Sequence, residues 1–342
     1  MSGVPSSHWN FTLQPRDRNP RNLRTVNSDA PSGRSVFTAI VSTRSVPGKR
    51  QARVPSVIVE AKLEAHSVEE RGLFAAAHGV GGETGRSPAA TLLPDDGGRE
   101  PGPVYYDLFE EFADLATKCM CPVGAPDERG HKDGWGLACF QNGAPKMHMR
   151  DAGCAADASR YYGTAWKIAK LNIERASGQS LIVMGHLRRA SAAGLFARKY
   201  ARPFIEERDG VTWAFQHNGS LVNDPEEPGL LDSQVLFHSL LGRLTSRTHE
   251  GLAEATTAVR DMAIDKYGGF TGLNFMLSDG DSLHVYRDFQ TNGQYYTLYI
   301  DNLGEMVIAA SEPILAMTAE PIPRGVLHTV QSNLDVQRTT IS

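Results

Sequence analysis

The sequence lacks a strong charge of either sign, long apolar runs and a start that resembles a leader peptide. Its 342 residues contain 35 Lys and Arg against 39 Asp and Glu, and the net charge of −4 gives no general attraction to nucleic acid or to an anionic membrane. Apolar runs such as residues 181–184 have only strand length, and residues 1–10 lack the basic and apolar regions of a signal peptide. We therefore predict no nucleic-acid partner, no membrane partner and no transmembrane helix.

Cysteine is also scarce. The chain has four, at Cys119, Cys121, Cys139 and Cys154, and this spacing does not resemble the disulfide framework of a secreted protein. We therefore expect a reducing, cytoplasmic location. Cys119 and Cys121 could join His131 at a zinc ion, but the spacing matches no closed four-ligand pattern. We expect no metal site and no cofactor.

The first hundred residues differ in composition from the rest. Residues 1–103 hold ten of the nineteen prolines, and residues 1–55 carry nine Lys or Arg against two Asp. This composition predicts a flexible basic extension, either simply solvated or touching an acidic partner. Within it, residues 36–42 alternate like a strand and residues 64–77 could form a helix. We place the folded domain at residues 104–342.

Periodicity sharpens from Tyr105 onward and predicts the elements of this domain. Apolar residues between Leu108 and Ala116 recur at spacings of three and four, which indicates a helix over 105–118. Further helices are predicted at 161–175, 232–244 and 252–267. Strands are predicted at 134–140, 181–185, 211–215, 273–278, 282–286, 295–300, 306–310, 325–330 and 334–340. Strand-rich stretches that enclose paired helices favour an α+β fold, with stacked sheets and the helices outside.

Polar residues collect where several of these strands end, and three kinds of chemistry are open to them. Arg188 offers a planar fork of donors for a carboxylate, or it forms a structural ion pair. Asn218 and Gly219 can point two N–H donors at a developing oxyanion, or they form an ordinary Asn-Gly turn. Asp232 can hold a ligand ammonium, or it caps the helix that it begins.

Six short segments, in this order, resemble the class II glutamine amidotransferases, which have an N-terminal nucleophile. The stand-alone bacterial and archaeal branch of the family is the most similar. The similarity covers roughly residues 104–330, and the order of the six motifs is more specific than any one of them. The segments are His131-Lys132-Asp133-Gly134-Trp135-Gly136, Gly185-His186-Leu187-Arg188, Arg202-Pro203-Phe204, Trp213 to Leu221 with Gln216-His217-Asn218-Gly219-Ser220 inside it, Asp232-Ser233-Gln234, and Ser311-Glu312-Pro313.

The resemblance implies a four-layer αββα sandwich of the N-terminal nucleophile hydrolase type, which hydrolyses the side-chain amide of glutamine to glutamate and ammonia. It implies that Arg188 binds the α-carboxylate of glutamine and Asp232 its α-amino group. Asn218 and Gly219 are similar to the oxyanion hole, and His186 and His217 are implied to support their loops. Trp135 is structural by the same comparison. Many members have His before Pro-Phe, where this chain has Arg202.

The family's nucleophile is a cysteine at the mature N-terminus, whose thiolate forms a γ-glutamyl thioester while its own α-amino group acts as base. This cysteine should begin the first strand of the domain, but the sequence has no cysteine before Cys119. Residues 36–42 or 91–93 could take the place of that strand, and neither supplies a thiol. Cys119 and Cys121 follow the first predicted helix, and Ser2 lies in the extension, so we expect none of them to be the nucleophile.

Two hypotheses follow for activity. In the first, the working protein of this lineage starts differently and carries the missing cysteine. In the second, the domain has lost its chemistry and keeps the pocket as a binding or regulatory module. The substrate is glutamine or another γ-glutamyl compound, because recognition of the α-groups does not report what is attached to the γ-carbonyl. An ammonia acceptor, where there is one, would lie on a separate subunit.

Overall fold

The computed structural model describes the backbone of residues 36–43, and with their side chains residues 111–117, 130–156, 163, 165, 167–169, 180–189, 197–225, 229–304, 306–314 and 317–341. Residues 64–77 and 91–93, two segments considered above, lie outside the described residues, as do Cys119 and Cys121. The helix predicted at 105–118 is described as α1 over 111–117. The helix predicted at 161–175 is described as α2 only at its helical residues 163, 165 and 167–169.

Twelve strands, two further α-helices and one 3-10 helix (Arg198–Tyr200) are the other elements of the described chain. The strands are β1 (Val36–Thr43), β2 (Trp135–Gln141), β3 (Ala144–Asp151), β4 (Ser180–Leu187), β5 (Phe204–Arg208), β6 (Val211–Asn218), β7 (Asn274–Ser278), β8 (Ser282–Arg287), β9 (Tyr299–Asn302), β10 (Met306–Ala310), β11 (Val326–Gln331) and β12 (Val336–Thr340). The helices are α3 (Asp232–Arg243) and α4 (His249–Asp265). No helix in the described part of the chain is both long and apolar enough to cross a bilayer.

The strands form two six-stranded sheets, and every strand pairing within them is antiparallel. One sheet, called sheet A here, has the order β3-β2-β4-β1-β10-β9. The other, called sheet B, has the order β12-β11-β8-β7-β6-β5.

Three apolar layers show how the sheets and helices stack. In β4, Leu181 and Val183 face α1 and α2, while Ile182 and Met184 face the other sheet. This alternation is the period of two of a strand that is buried on both faces, and it explains the uninterrupted apolar run. On sheet B, Phe215 packs against α3 and α4. The result is the four-layer αββα sandwich that the resemblance implied.

The predicted elements agree with the structure best where both faces are buried and worst at the sheet edges. The edge strands β3 and β5 were not predicted, because β3 has only Met147 buried and shows no alternation for a pattern to detect. The strand predicted at 295–300 begins only at Tyr299. Before it, Tyr295 and Tyr296 form a turn in which their two rings pack edge to face at 5.0 Å.

The central strand β1 comes from upstream of the proposed domain start at residue 104. Val36–Thr43 lies between β4 and β10, with Val36 opposite Leu187 and Thr38 opposite Ala310. Of the two segments considered for the first strand of the domain, the structure thus places this one in the sheet. The boundary at residue 103 stays a prediction for the rest of the extension.

A buried histidine network fixes the start of α4 to sheet B. His249 Nδ1 lies 2.7 Å from Thr329 Oγ1, and His249 Nε2 lies 2.7 Å from Thr339 Oγ1. Thr329 Oγ1 also lies 2.9 Å from His284 Nδ1. Burial lowers the pKa of His284 to about 4 and also lowers the pKa of His249. Both rings are therefore neutral in the folded protein near pH 7.

This network makes the fold sensitive to acid. Because the folded pKa lies below the unfolded value of 6.5, the unfolded chain takes up protons first as the pH falls. We expect full stability above pH 6.5 and a falling melting temperature between pH 6.5 and pH 4. His284→Gln should flatten that dependence in thermal denaturation, because it removes a buried imidazole that stays neutral in the folded state. Equal slopes for His284→Gln and the unsubstituted chain would contradict this account.

Candidate functional site

The first two polar segments are joined directly by backbone hydrogen bonds. The amide of Arg188 donates to the carbonyl of Gly134 at 2.8 Å, and the amide of Asp133 donates to the carbonyl of Arg188 at 2.9 Å. These bonds continue the pairing of β2 with β4, in which Trp135 lies opposite Leu187. Arg188 is thereby held at the end of β4, with only 3% of its surface exposed.

A close backbone approach brings the Arg202 segment to the same place. A Cβ atom added at Gly136 would lie 2.0 Å from the carbonyl oxygen of Arg202, so that only glycine fits there. The guanidinium carbon of Arg202 lies 5.5 Å from the centre of the Phe204 ring, and the side chain is buried. The absence of a side chain at Gly136 therefore lets the Arg202 backbone, 66 residues away in the sequence, lie against β2.

The Asn218-Gly219 segment ends β6 and is fixed by a second close approach. Gly219 has φ of +139°, and a Cβ there would lie 1.8 Å from the carbonyl oxygen of Gly272. The amide of Ser220 donates to Thr271 Oγ1 at 3.1 Å, and the amide of Thr271 donates back to the carbonyl of Ser220 at 2.8 Å. The turn therefore has one conformation, which sets the direction of the Gly219 amide.

The structure corrects the capping interpretation of Asp232. Leu231 is the N-cap of α3, and Asp232 is the first helical residue. The amide of Leu231 donates to Gln234 Oε1 at 3.1 Å, and Asp232 Oδ1 accepts from the amide of Ser233 at 2.7 Å. The Asp232 carboxylate thus lies at the positive, N-terminal end of the helix dipole.

A serine that the sequence analysis did not single out links three of these segments. Arg202 Nη2 donates to Ser233 Oγ at 2.5 Å, and Ser233 Oγ lies 3.0 Å from His217 Nδ1. Because a guanidinium only donates, the hydroxyl proton of Ser233 is free for His217 Nδ1 or for Asp232 Oδ1, which lies 3.3 Å away. Ser233 connects the oxyanion-type loop, the start of α3 and Arg202. Its position directly after Asp232 is the signal that could have identified it.

The site contains two buried arginines, Arg188 and Arg202, with Asp232 acting on both and Asp133 acting on Arg188. Burial lowers the pKa of Arg202 to about 10, while Asp232 opposes the shift and Arg188 adds to it. Burial also lowers the pKa of Arg188, and the carboxylates of Asp133 and Asp232 oppose that shift. Both guanidinium groups stay charged at neutral pH. Such a concentration of buried positive charge favours the binding of an anion.

The two histidines named from the sequence, His186 and His217, are neutral in this site. Burial lowers the pKa of His217 to about 4, with Arg202 adding to the shift and Asp232 opposing it. Burial, together with Arg202 and Arg188, also holds the pKa of His186 well below its usual range. A neutral imidazole can lie near a buried arginine at little electrostatic cost. Sequence reasoning named both residues but gave no means to predict their charge.

The remaining motif residues lie beside this group. His131 Nε2 is 3.9 Å from Glu312 Oε1, which brings the first and last segments of the resemblance together, and both side chains are buried. Tyr200 lies with its ring centre 5.9 Å from the guanidinium carbon of Arg188.

Cys139 and Cys154 are buried free thiols in β2 and after β3. Across the residues that the structure describes, no three His, Cys, Asp or Glu side chains gather in the manner of a metal site.

The Gly219 turn gives a test of the site's construction. We expect Gly219→Ala to lower the free energy of unfolding by about 2 kcal/mol or more, because the new Cβ would overlap the Gly272 carbonyl. The matched control is Gly210→Ala, at a glycine that also has positive φ but open space around it. Chemical denaturation measures both. Equal losses for the two variants would show that the close approach does not matter.

Comparison with known proteins identifies the family. A family model described as "Glutamine amidotransferases class-II" matches residues 114–300, more than half of the chain. A protein of Haemophilus influenzae named as a glutamine amidotransferase is 31% identical over 162 residues, which are 44% of this chain and 50% of the relative. YafJ of Escherichia coli K12, named likewise, is 28% identical over 166 residues, 46% of this chain and 60% of the relative. The matches thus span between half and three-fifths of these relatives.

Solved structures of similar description were also found. A class-II domain protein from Silicibacter pomeroyi is 20% identical and has a TM-score of 0.42, with 61% of this chain and 92% of that chain covered. A glutamine amidotransferase from Pseudomonas aeruginosa PA01 is 19% identical and has a TM-score of 0.39, with 64% and 90% covered. The fold assignment rests on the layers described above, and the family on the match over residues 114–300. The chain belongs to the class II glutamine amidotransferases.

Proposed function

We propose that the domain binds the α-carboxylate and α-amino groups of glutamine or of another γ-glutamyl compound through Arg188 and Asp232. The observation that carries this proposal is a buried guanidinium near a carboxylate at a helix start, close enough for Asp232 to act on the pKa of Arg188. A guanidinium fork matches a carboxylate, and the Asp232 carboxylate matches an ammonium. His186 and His217 then act as neutral supports of the two loops.

The reaction of this pocket, in our proposal, is hydrolysis of the γ-amide to glutamate and ammonia. A thiolate attacks the γ-carbonyl carbon, and the Asn218 side-chain amide and the Gly219 backbone amide stabilise the developing oxyanion. The C–N bond then breaks, ammonia leaves with a proton from the α-ammonium of the nucleophile, and water hydrolyses the thioester. The ammonia is either released or passed to an acceptor on a separate subunit. We propose a cytosolic location, because the spacing of the four cysteines does not resemble the disulfide framework of a secreted protein.

The start of β1 marks where the nucleophile would act. Val36, the first residue of β1, lies opposite Leu187, which directly precedes Arg188. A cysteine directly before Val36 would therefore begin the central strand beside the Arg188 loop. The chain has Ser35 at that position of its sequence, and β1 itself contains no cysteine. This absence is the observation that favours the second candidate function, a binding or regulatory module.

Binding of glutamine to the full chain tests the pocket without requiring catalysis. In isothermal titration calorimetry we expect saturable binding of L-glutamine, weakened about tenfold or more by Arg188→Gln and by Asp232→Asn, since each removes one charge-assisted contact. Arg189→Gln is the matched control, because it removes a neighbouring arginine of the same loop. Absence of binding at millimolar glutamine would refute the assigned pocket.

A restored nucleophile tests the reaction. We expect a chain that begins at residue 35 with Ser35→Cys, its initiator Met removed, to release ammonia and glutamate in equal amounts from glutamine. The same chain with Ser35→Ala should be silent. Activity of the Cys-started chain and silence of the full-length chain would show a complete pocket that lacks only its nucleophile. Silence of both, with glutamine still bound, would favour the binding module.

A further inference from the structure

Arg202 is a buried cation without a paired carboxylate. No ion pair to Arg202 occurs within the described residues, and its Nε has no hydrogen-bond partner there. Its single polar contact among them is the bond from Nη2 to Ser233 Oγ. Buried guanidinium groups are normally paired, because an uncompensated buried charge is costly. The charged groups that act on it are Asp232 and a second arginine, Arg188.

Arg202 brings a charge beyond the Arg188 and Asp232 pair that matches a zwitterion. Arg188 and Asp232 together offer one positive and one negative charge, which is the complement of free glutamine. Arg202 adds a further positive charge, while His186 and His217 add none because burial keeps them neutral. Asp133 lies on the Arg188 side and acts on that arginine. Among the described residues, the charges that act on Arg202 are one carboxylate, Asp232, and one further cation, Arg188.

The extra charge lies at the end of the pocket assigned to the α-amino group. Ser233 Oγ bridges Arg202 Nη2 at 2.5 Å and Asp232 Oδ1 at 3.3 Å, so the guanidinium is one hydroxyl away from the carboxylate that would hold an ammonium. Arg202 therefore partly neutralises Asp232 and repels a cationic ligand group at the same place. An uncharged substituent at the α-carbon avoids this repulsion.

We propose that Arg202 sets the specificity of the pocket toward singly anionic ω-amides, which have a carboxylate and a terminal amide but no charged α-amino group. Glutaramate, the five-carbon ω-amide acid without an α-substituent, is the simplest member of this class. Its carboxylate lies between Arg188 and Arg202, and its amide reaches the Asn218-Gly219 turn. The inference rests on the proposed function, because it assumes that the same pocket takes the ligand.

Calorimetry with the full-length chain compares L-glutamine, N-acetyl-L-glutamine and glutaramate. N-acetyl-L-glutamine keeps the carboxylate and the γ-amide of glutamine but lacks the ammonium charge. We expect glutaramate to bind about tenfold more tightly than glutamine, and N-acetyl-L-glutamine to bind more tightly than glutamine if its acetyl group fits. The ratio of the glutaramate and glutamine affinities is the measured quantity, and it needs no nucleophile.

Variants at Arg202 assign the preference to this side chain. Arg202→Gln should lower the ratio about tenfold by weakening glutaramate and strengthening glutamine, and Arg202→Lys should restore part of it by returning the charge. Arg198→Gln removes an exposed arginine of the preceding 3-10 helix and should leave the ratio unchanged. Circular dichroism verifies that each variant is folded. Where Arg202→Gln does not fold, Arg202→Lys and the three-ligand series on the unsubstituted chain decide.

The outcomes separate this inference from the function on which it rests. Binding of glutamine as tight as that of glutaramate, or a ratio that Arg202→Gln leaves unchanged, would overturn the role of Arg202 and leave the glutamine pocket standing. Absence of binding for all three ligands would overturn both. A high ratio that falls in Arg202→Gln and recovers in Arg202→Lys is the result that we expect.

Discussion

The burial of both faces of both sheets is the constraint on which the rest of the structure depends. Helices cover the outer faces, and the sheets cover each other, so β4 and β6 leave their interior positions to apolar side chains. Polar groups that bind a ligand or react therefore lie where strands end, because burying them within the apolar layers costs more free energy. Arg188 follows the end of β4, and Asn218 closes β6. The site is a consequence of the layering rather than an addition to it.

Within the site, close backbone contacts do the positioning and buried charges supply the chemistry. Gly136 and Gly219 allow carbonyl groups to approach where any side chain would overlap them. These contacts hold Arg202 and the Asn218 turn in place before a ligand arrives. Preorganised donors of this kind stabilise charge more effectively than mobile ones. Burying two arginines costs free energy of folding, and the apolar layers of the domain offset that cost.

The fold and the chemistry are separable in this protein. β1 completes sheet A between β4 and β10 by backbone pairing, which any strand-forming sequence can satisfy. In the reaction that we propose, catalysis depends on one side chain at the start of that strand, and packing does not select it. A chain can therefore keep the sandwich, the Arg188 loop and the Gly219 turn whatever residue begins β1. This is why the family assignment stands apart from the question of activity.

By itself the sequence determined the α+β class, the bounds of strongly periodic elements such as α3, and the polar segments around Arg188 and Asn218, because periodicity reports which residues are buried and local motifs mark where elements end. It did not predict the edge strands β3 and β5, whose half-exposed residues carry no clear period. Nor did it reveal that Ser233 joins Arg202 to His217, or that both histidines are neutral. Only the tertiary structure decided these features, because a hydrogen bond or a pKa depends on groups that are distant in the chain and meet only after the layers pack.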